Sequence, residues 1–157
     1  MSPMQRILVN LDSTASLGRL LALGLINVGA CPILISGPLG AGKTTLIRYI
    51  VTNLPGGEQA EVSSPSFNLI NIYPTQPEVA HMDLYRLGQT GFDESLIEYL
   101  ETEDMALFVE WAEYLPRNVL PENFIHLQIE VSDQNRIAEL SAYGNWAKSW
   151  LEHIKAE

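Results

Sequence analysis

The chain has 157 residues, 46% of them hydrophobic, a net charge of −10 and an isoelectric point near 4.6. That length and apolar content predict a single domain over 1–157 with a real core and leave no room for two of ordinary size. No apolar run approaches the ~20 residues of a membrane helix, no secretion-signal pattern opens the chain, and the nine Lys and Arg are dispersed. The expectation is therefore a soluble, cytoplasmic protein with no membrane role and no direct, unaided grip on nucleic acid, which needs clustered positive charge.

Arg6 to Asn10 is a predicted strand, followed by a helix with Asp12, Ser13 or Thr14 as cap and Leu17, Leu20, Leu21, Leu25 and Val28 on its apolar face. Gly29 ends it. The only cysteine, Cys31, excludes an internal disulfide and a cysteine metal cluster, and its place at a strand start favours packing over reactivity. Ile33 to Ile35 is a short apolar strand, and Leu46, Ile47, Ile50, Val51 and Leu54 recur at helical spacing until Pro55-Gly56-Gly57.

Between that strand and helix stands Gly37-Pro38-Leu39-Gly40-Ala41-Gly42-Lys43-Thr44-Thr45, which contains a complete phosphate-binding loop. Glycines at Gly37, Gly40 and Gly42 let backbone N–H groups turn inward around a β-phosphate where a Cβ would block approach. Lys43 is placed to reach β and γ oxygens, and the Thr44 hydroxyl is placed for Mg²⁺. Strand, loop and helix follow in the order that aims a helix N-terminus at an anion. The candidate nucleotide contacts of the loop are Gly37, Leu39, Gly40, Ala41, Gly42, Lys43, Thr44 and Thr45.

Further on, Phe67 to Tyr73 is a predicted strand paired with Val79 to Leu84 across the Pro74–Pro77 turn, and Gly91 to Leu100 a predicted helix. Met105 to Val109 is a central strand closed by Glu110. Pro116 to Pro121 is a loop, Ile125 to Val131 and Arg136 to Tyr143 form an antiparallel hairpin, and a last helix capped by Asn145 presents Trp146, Trp150, Leu151 and Ile154 to the core. The fold class is α/β, a three-layer sandwich with a mixed, mostly parallel sheet and a C-terminal antiparallel hairpin.

A phosphate-binding loop needs an acid beside Thr44 to complete a magnesium site, and both Glu110 and Asp83 qualify, each at the carboxyl end of a predicted strand. Ser63 to Phe67 offers hydroxyls, Ser66 among them, as a segment able to meet metal, water or a γ-phosphate. Trp111 fits core packing and an exposed stacking surface equally well.

Four ordered motifs resemble the TsaE (YjeE) family of P-loop ATPases from bacterial tRNA threonylcarbamoyladenosine modification: Gly37 to Thr45, Ser64-Pro-Ser-Phe67, His81-Met-Asp-Leu-Tyr-Arg-Leu87 and Val109-Glu-Trp111. The resemblance implies ATP or ADP binding, Mg²⁺ held by Thr44 and Glu110, and a catalytic pair of Lys43 and Asp83. It also implies that Thr14, Ser66 and Arg136 approach the nucleotide; the family often has threonine where Ser66 stands. The activity implied is a Mg²⁺-dependent ATPase, weak alone. It would act with the TsaD and TsaB proteins in threonylcarbamoyl modification of adenosine 37 in tRNAs reading ANN codons, reaching tRNA only through that complex. A small-molecule kinase fits less well because the six arginines are dispersed, a guanine-specific switch because no Asn-Lys-x-Asp segment is present. A non-catalytic nucleotide-sensing module differs only in lacking turnover.

Overall fold

The computed structural model describes residues 1–65 and 67–157. One seven-stranded sheet organises them: β1 (Met4–Leu8), β2 (Ile33–Ser36), β3 (Ile70–Tyr73), β4 (Val79–Asp83), β5 (Ala106–Glu110), β6 (Phe124–Val131) and β7 (Arg136–Tyr143), in the order β1-β7-β6-β2-β5-β4-β3. The central strands β6, β2, β5 and β4 run parallel, while β3 and the β7–β1 pair are antiparallel additions at the two edges. This is the mixed, mostly parallel sheet expected, with the β6–β7 hairpin in place.

Strands β2 and β5 are buried along their length because both faces of the sheet are covered, and they are apolar up to their last residues, Ser36 and Glu110. On one face Ile33, Ile35 and Phe108 pack with α1 (Leu11–Asn27), α2 (Lys43–Thr52) and α5 (Asn145–Lys155), through Leu21, Leu25, Ile47, Ile50, Trp150 and Ile154. On the other, Leu34, Leu107 and Val109 meet Leu84, Leu96 and Leu100 from the segments around α3 (Leu87–Thr90) and α4 (Ile97–Glu101), and Leu115 from the turn that follows β5. Cys31 is buried, and burial pushes its thiol up to about 12, so it stays protonated and packs.

Several boundaries differ from expectation, each for a local reason. The cap of α1 is Asn10, one residue before Leu11: its Oδ1 accepts from Ser13 N at 2.9 Å while Ser13 Oγ accepts from Asn10 N at 3.1 Å, a reciprocal pair that displaces Asp12, Ser13 and Thr14 as cap candidates. Strand β3 starts only at Ile70, because Leu69 adopts a left-handed φ of 62° that breaks the extended run. The predicted helix from Gly91 to Leu100 is a 3₁₀ turn at Glu94–Leu96 followed by α4, and α3 before it was not expected. Gly144, not Asn145, precedes α5, whose first N–H groups are taken by Asn123: its Oδ1 accepts from Trp146 N at 2.9 Å and Ala147 N at 3.3 Å. Trp146 is 43% exposed, and Ala147 takes the core position instead.

Among the described residues no helix is long and apolar enough to cross a membrane.

Candidate nucleotide and magnesium site

The loop from Gly37 to Gly42 leaves the carboxyl end of β2 and enters α2. Gly40 and Gly42 have φ of 78° and 101°, and an added Cβ at either would meet nothing within 4 Å. No protein atom crowds these positions; within the chain itself the constraint is the left-handed backbone, which a residue with a side chain adopts only under strain. Among the described residues no side chain caps α2, which leaves the N–H groups of its first turn available to an anion held by the loop.

Lys43, the first residue of α2, is buried with its ammonium folded onto its own loop: Nζ donates to Gly37 O at 2.7 Å and to Pro38 O at 2.9 Å. The same Nζ lies 4.1 Å from the centroid of the Trp111 ring, in cation–π contact. Burial lowers the Lys43 pKa, and the carboxylates of Glu110, Glu113 and Asp83, in that order, oppose the shift. An arriving phosphate would add to those opposing charges.

Glu110 closes β5 and is 2% exposed. The Thr44 hydroxyl lies 2.8 Å from its Oε1 and 3.0 Å from its Oε2, and the imidazole Nε2 of His81 lies 2.6 Å from Oε2. Asp83 stands beside Glu110 in the parallel register of β4 and β5. Its Oδ2 accepts a short hydrogen bond from Ser64 Oγ, and its Oδ1 accepts from Tyr85 N at 2.9 Å. One strand thus carries both His81 and Asp83, on the same face as residues two apart must be.

Mg²⁺ suits this donor set. Among the described residues no three carboxylate, imidazole or thiol groups converge into a preformed cage. The Thr44 hydroxyl and the Glu110 carboxylate instead offer two oxygens side by side, and Mg²⁺ is commonly held by one or two protein oxygens completed by water and substrate phosphates.

The remaining sequence candidates divide. Arg136 reaches the loop, its Nη2 donating to Gly40 O at 3.2 Å, which brings the start of β7 against the loop tip. Leu39 is exposed at that tip, Ala41 is buried beneath it, and Thr45 is half-buried in the first turn of α2. Thr14 bonds within its own helix, Oγ1 donating to Asn10 O at 3.3 Å. The expectation for Ser66 lies outside the described residues.

The family model described as "Threonylcarbamoyl adenosine biosynthesis protein TsaE" matches residues 8–138 of the chain. The chain belongs to the TsaE family. Relatives named "tRNA threonylcarbamoyladenosine biosynthesis protein TsaE" are similar over most of its length: 35% identical in Rickettsia felis, over 83% of this chain and 74% of the relative. In Haemophilus influenzae the identity is 35% over 76% and 75%, and in Nostoc it is 34% over 87% and 84%. The crystal structure of Bacillus subtilis YdiB superposes with a TM-score of 0.76, covering 99% of this chain and 97% of that one at 24% identity, and so has the same fold.

Two features of this TsaE-family site were not read from the residues themselves. Trp111, at a left-handed φ of 57°, is half-buried and serves as a platform: its ring lies 4.8 Å from Tyr85 and 5.9 Å from Tyr114 by centroids, with Lys43 against it. Neither packing nor open stacking alone describes it. His81 entered only as part of a motif, although its spacing from Asp83 on a strand was a usable sign that both face one way.

Proposed function

We propose that the chain binds ATP and ADP with Mg²⁺ at the Gly37–Thr45 loop and acts as a Mg²⁺-dependent ATPase in threonylcarbamoyladenosine modification of tRNA, together with the TsaD and TsaB proteins. The observation that carries this reading is the meeting of three things at the uncapped start of α2: the Lys43 ammonium, the Thr44 hydroxyl and the buried Glu110 carboxylate. The family membership and the names of the relatives support the tRNA role.

In this mechanism the loop N–H groups and Lys43 hold the β and γ phosphates, Lys43 exchanging the Gly37 and Pro38 carbonyls for phosphate oxygens. Thr44 and Glu110 would hold a magnesium ion, which would supply neutralisation of phosphate charge there. Asp83, fixed by Ser64 and by the Tyr85 amide, orients a water whose oxygen bonds the γ-phosphorus as the bond to the β-phosphate oxygen breaks, one water proton staying on the phosphate product and the other passing to solvent, giving ADP and phosphate. Lys43 is the only lysine among the contacts described at the loop, and Arg136 is spent on Gly40 O. With so little positive charge facing the γ-phosphate, turnover is slow until partners complete or order the site.

The charge of −10 argues that the partners, not this chain, grip the tRNA, since few phosphate contacts mean little counterion release. Filter binding with tRNA at physiological salt is expected to show no retention by the chain alone, while phosphate release rises when TsaD, TsaB and tRNA are added. Tight binding to bare tRNA, or turnover indifferent to those proteins, would remove the partner-dependent part of the reading.

A further inference from the structure

His81 is fully buried on β4, and of its two ring nitrogens only Nε2 has a partner, Glu110 Oε2 at 2.6 Å; Nδ1 is buried without one among the described residues. An ionised carboxylate only accepts hydrogen bonds, so Nε2 carries the hydrogen and donates it. An apolar side chain would fill the same slot beside Tyr73 without leaving a polar atom stranded. What the imidazole adds over such a side chain is its single bond to Glu110.

That bond resolves an ambiguity in the carboxylate. The Thr44 hydroxyl sits almost equally far from both Glu110 oxygens, 2.8 and 3.0 Å, so Thr44 by itself leaves the group free to rock between them. His81 approaches Oε2 alone, from the neighbouring strand and diagonally, since Glu110 pairs with Asp83 and His81 with Phe108 across the ladder. We propose that His81 is a positioning residue that anchors Glu110 by Oε2 and thereby keeps Oε1, beside Thr44, aimed at Mg²⁺. This rests on the nucleotide and magnesium reading above and assigns His81 a part in metal affinity, through Glu110, without contact to nucleotide. Partners that orient a metal ligand in this way typically change metal affinity by 10- to 100-fold when removed.

The test uses two amides that mimic different halves of the imidazole. The side-chain nitrogen of His81→Gln falls near the Nε2 position and keeps a donor for Glu110, whereas that of His81→Asn falls near Nδ1 and does not reach it. Affinity for a fluorescent ADP analogue is measured against Mg²⁺ concentration and again in EDTA, alongside thermal melts and a His81→Leu variant. The expected result is a half-effective Mg²⁺ concentration raised roughly tenfold or more in His81→Asn and His81→Leu. His81→Gln should lie within about threefold of the parent, and all variants should share the parent's metal-free affinity. Equal shifts in Gln and Asn, or shifts that follow melting temperature rather than the donor, would overturn the positioning role, as would an unmoved Mg²⁺ dependence in Asn. A parent chain that binds the analogue with Mg²⁺ dependence while the variants match it would sink this inference alone; a parent that does not bind at all would sink both readings.

Discussion

Replacing Lys43 with alanine is expected to lower the affinity for ATP and ADP about 100-fold, roughly 3 kcal/mol, because on the proposed reading it deletes the charge-assisted bonds that the ammonium would make to two phosphate oxygens. The change should spare the fold. Among the described residues Lys43 Nζ bonds its own loop carbonyls, at Gly37 and Pro38, and lies against the Trp111 ring, and alanine is a good residue for the first turn of α2. A fluorescent nucleotide titration with a thermal melt as control checks this: unchanged affinity in a folded variant would mean that the loop is not the nucleotide site.

The second large effect separates the two acids. Glu110→Gln preserves volume and keeps one acceptor and one donor for Thr44 and His81, so it removes charge and leaves shape. It should lose most Mg²⁺ dependence of binding and about 100-fold or more of turnover, the scale seen when one charge-stabilising group is removed from a reacting centre. Asp83→Asn should leave nucleotide and Mg²⁺ affinity within about threefold while turnover falls by a similar two orders of magnitude, since Asp83 is tied to Ser64 and the Tyr85 amide and not to Thr44. Metal-dependent binding curves for both variants, read beside phosphate release, decide the assignment. Loss of Mg²⁺ dependence in Asp83→Asn alone would exchange the two roles.

The loop was legible in the sequence because its chemistry is local: glycines, lysine and hydroxyl lie within a few residues, so spacing alone specifies where backbone and side chains point. Glu110 was legible for a different reason, a charge ending an otherwise apolar strand, though only the folded chain shows that it meets Thr44, 66 residues away. The bond between His81 and Glu110 joins residues 29 apart and depends on the β4–β5 register, which no local pattern encodes. The Lys43–Trp111 contact was hidden in the same way, since it needs the left-handed turn at Trp111 that follows β5. Regular elements with a long apolar stripe, such as α1 and α5, were found with boundaries off by a residue or so. The predicted helix from Gly91 to Leu100 proved to be two short pieces, because its apolar residues fit helical spacing while the Asp93 cap starts a 3₁₀ turn at Glu94–Leu96 before α4.

The most direct measurement is calorimetric titration of the purified chain with ATP and ADP, each with Mg²⁺ and again with EDTA. One saturable site per chain, tighter with Mg²⁺ than without, is the predicted result; no heat from either nucleotide up to millimolar concentration would contradict the account.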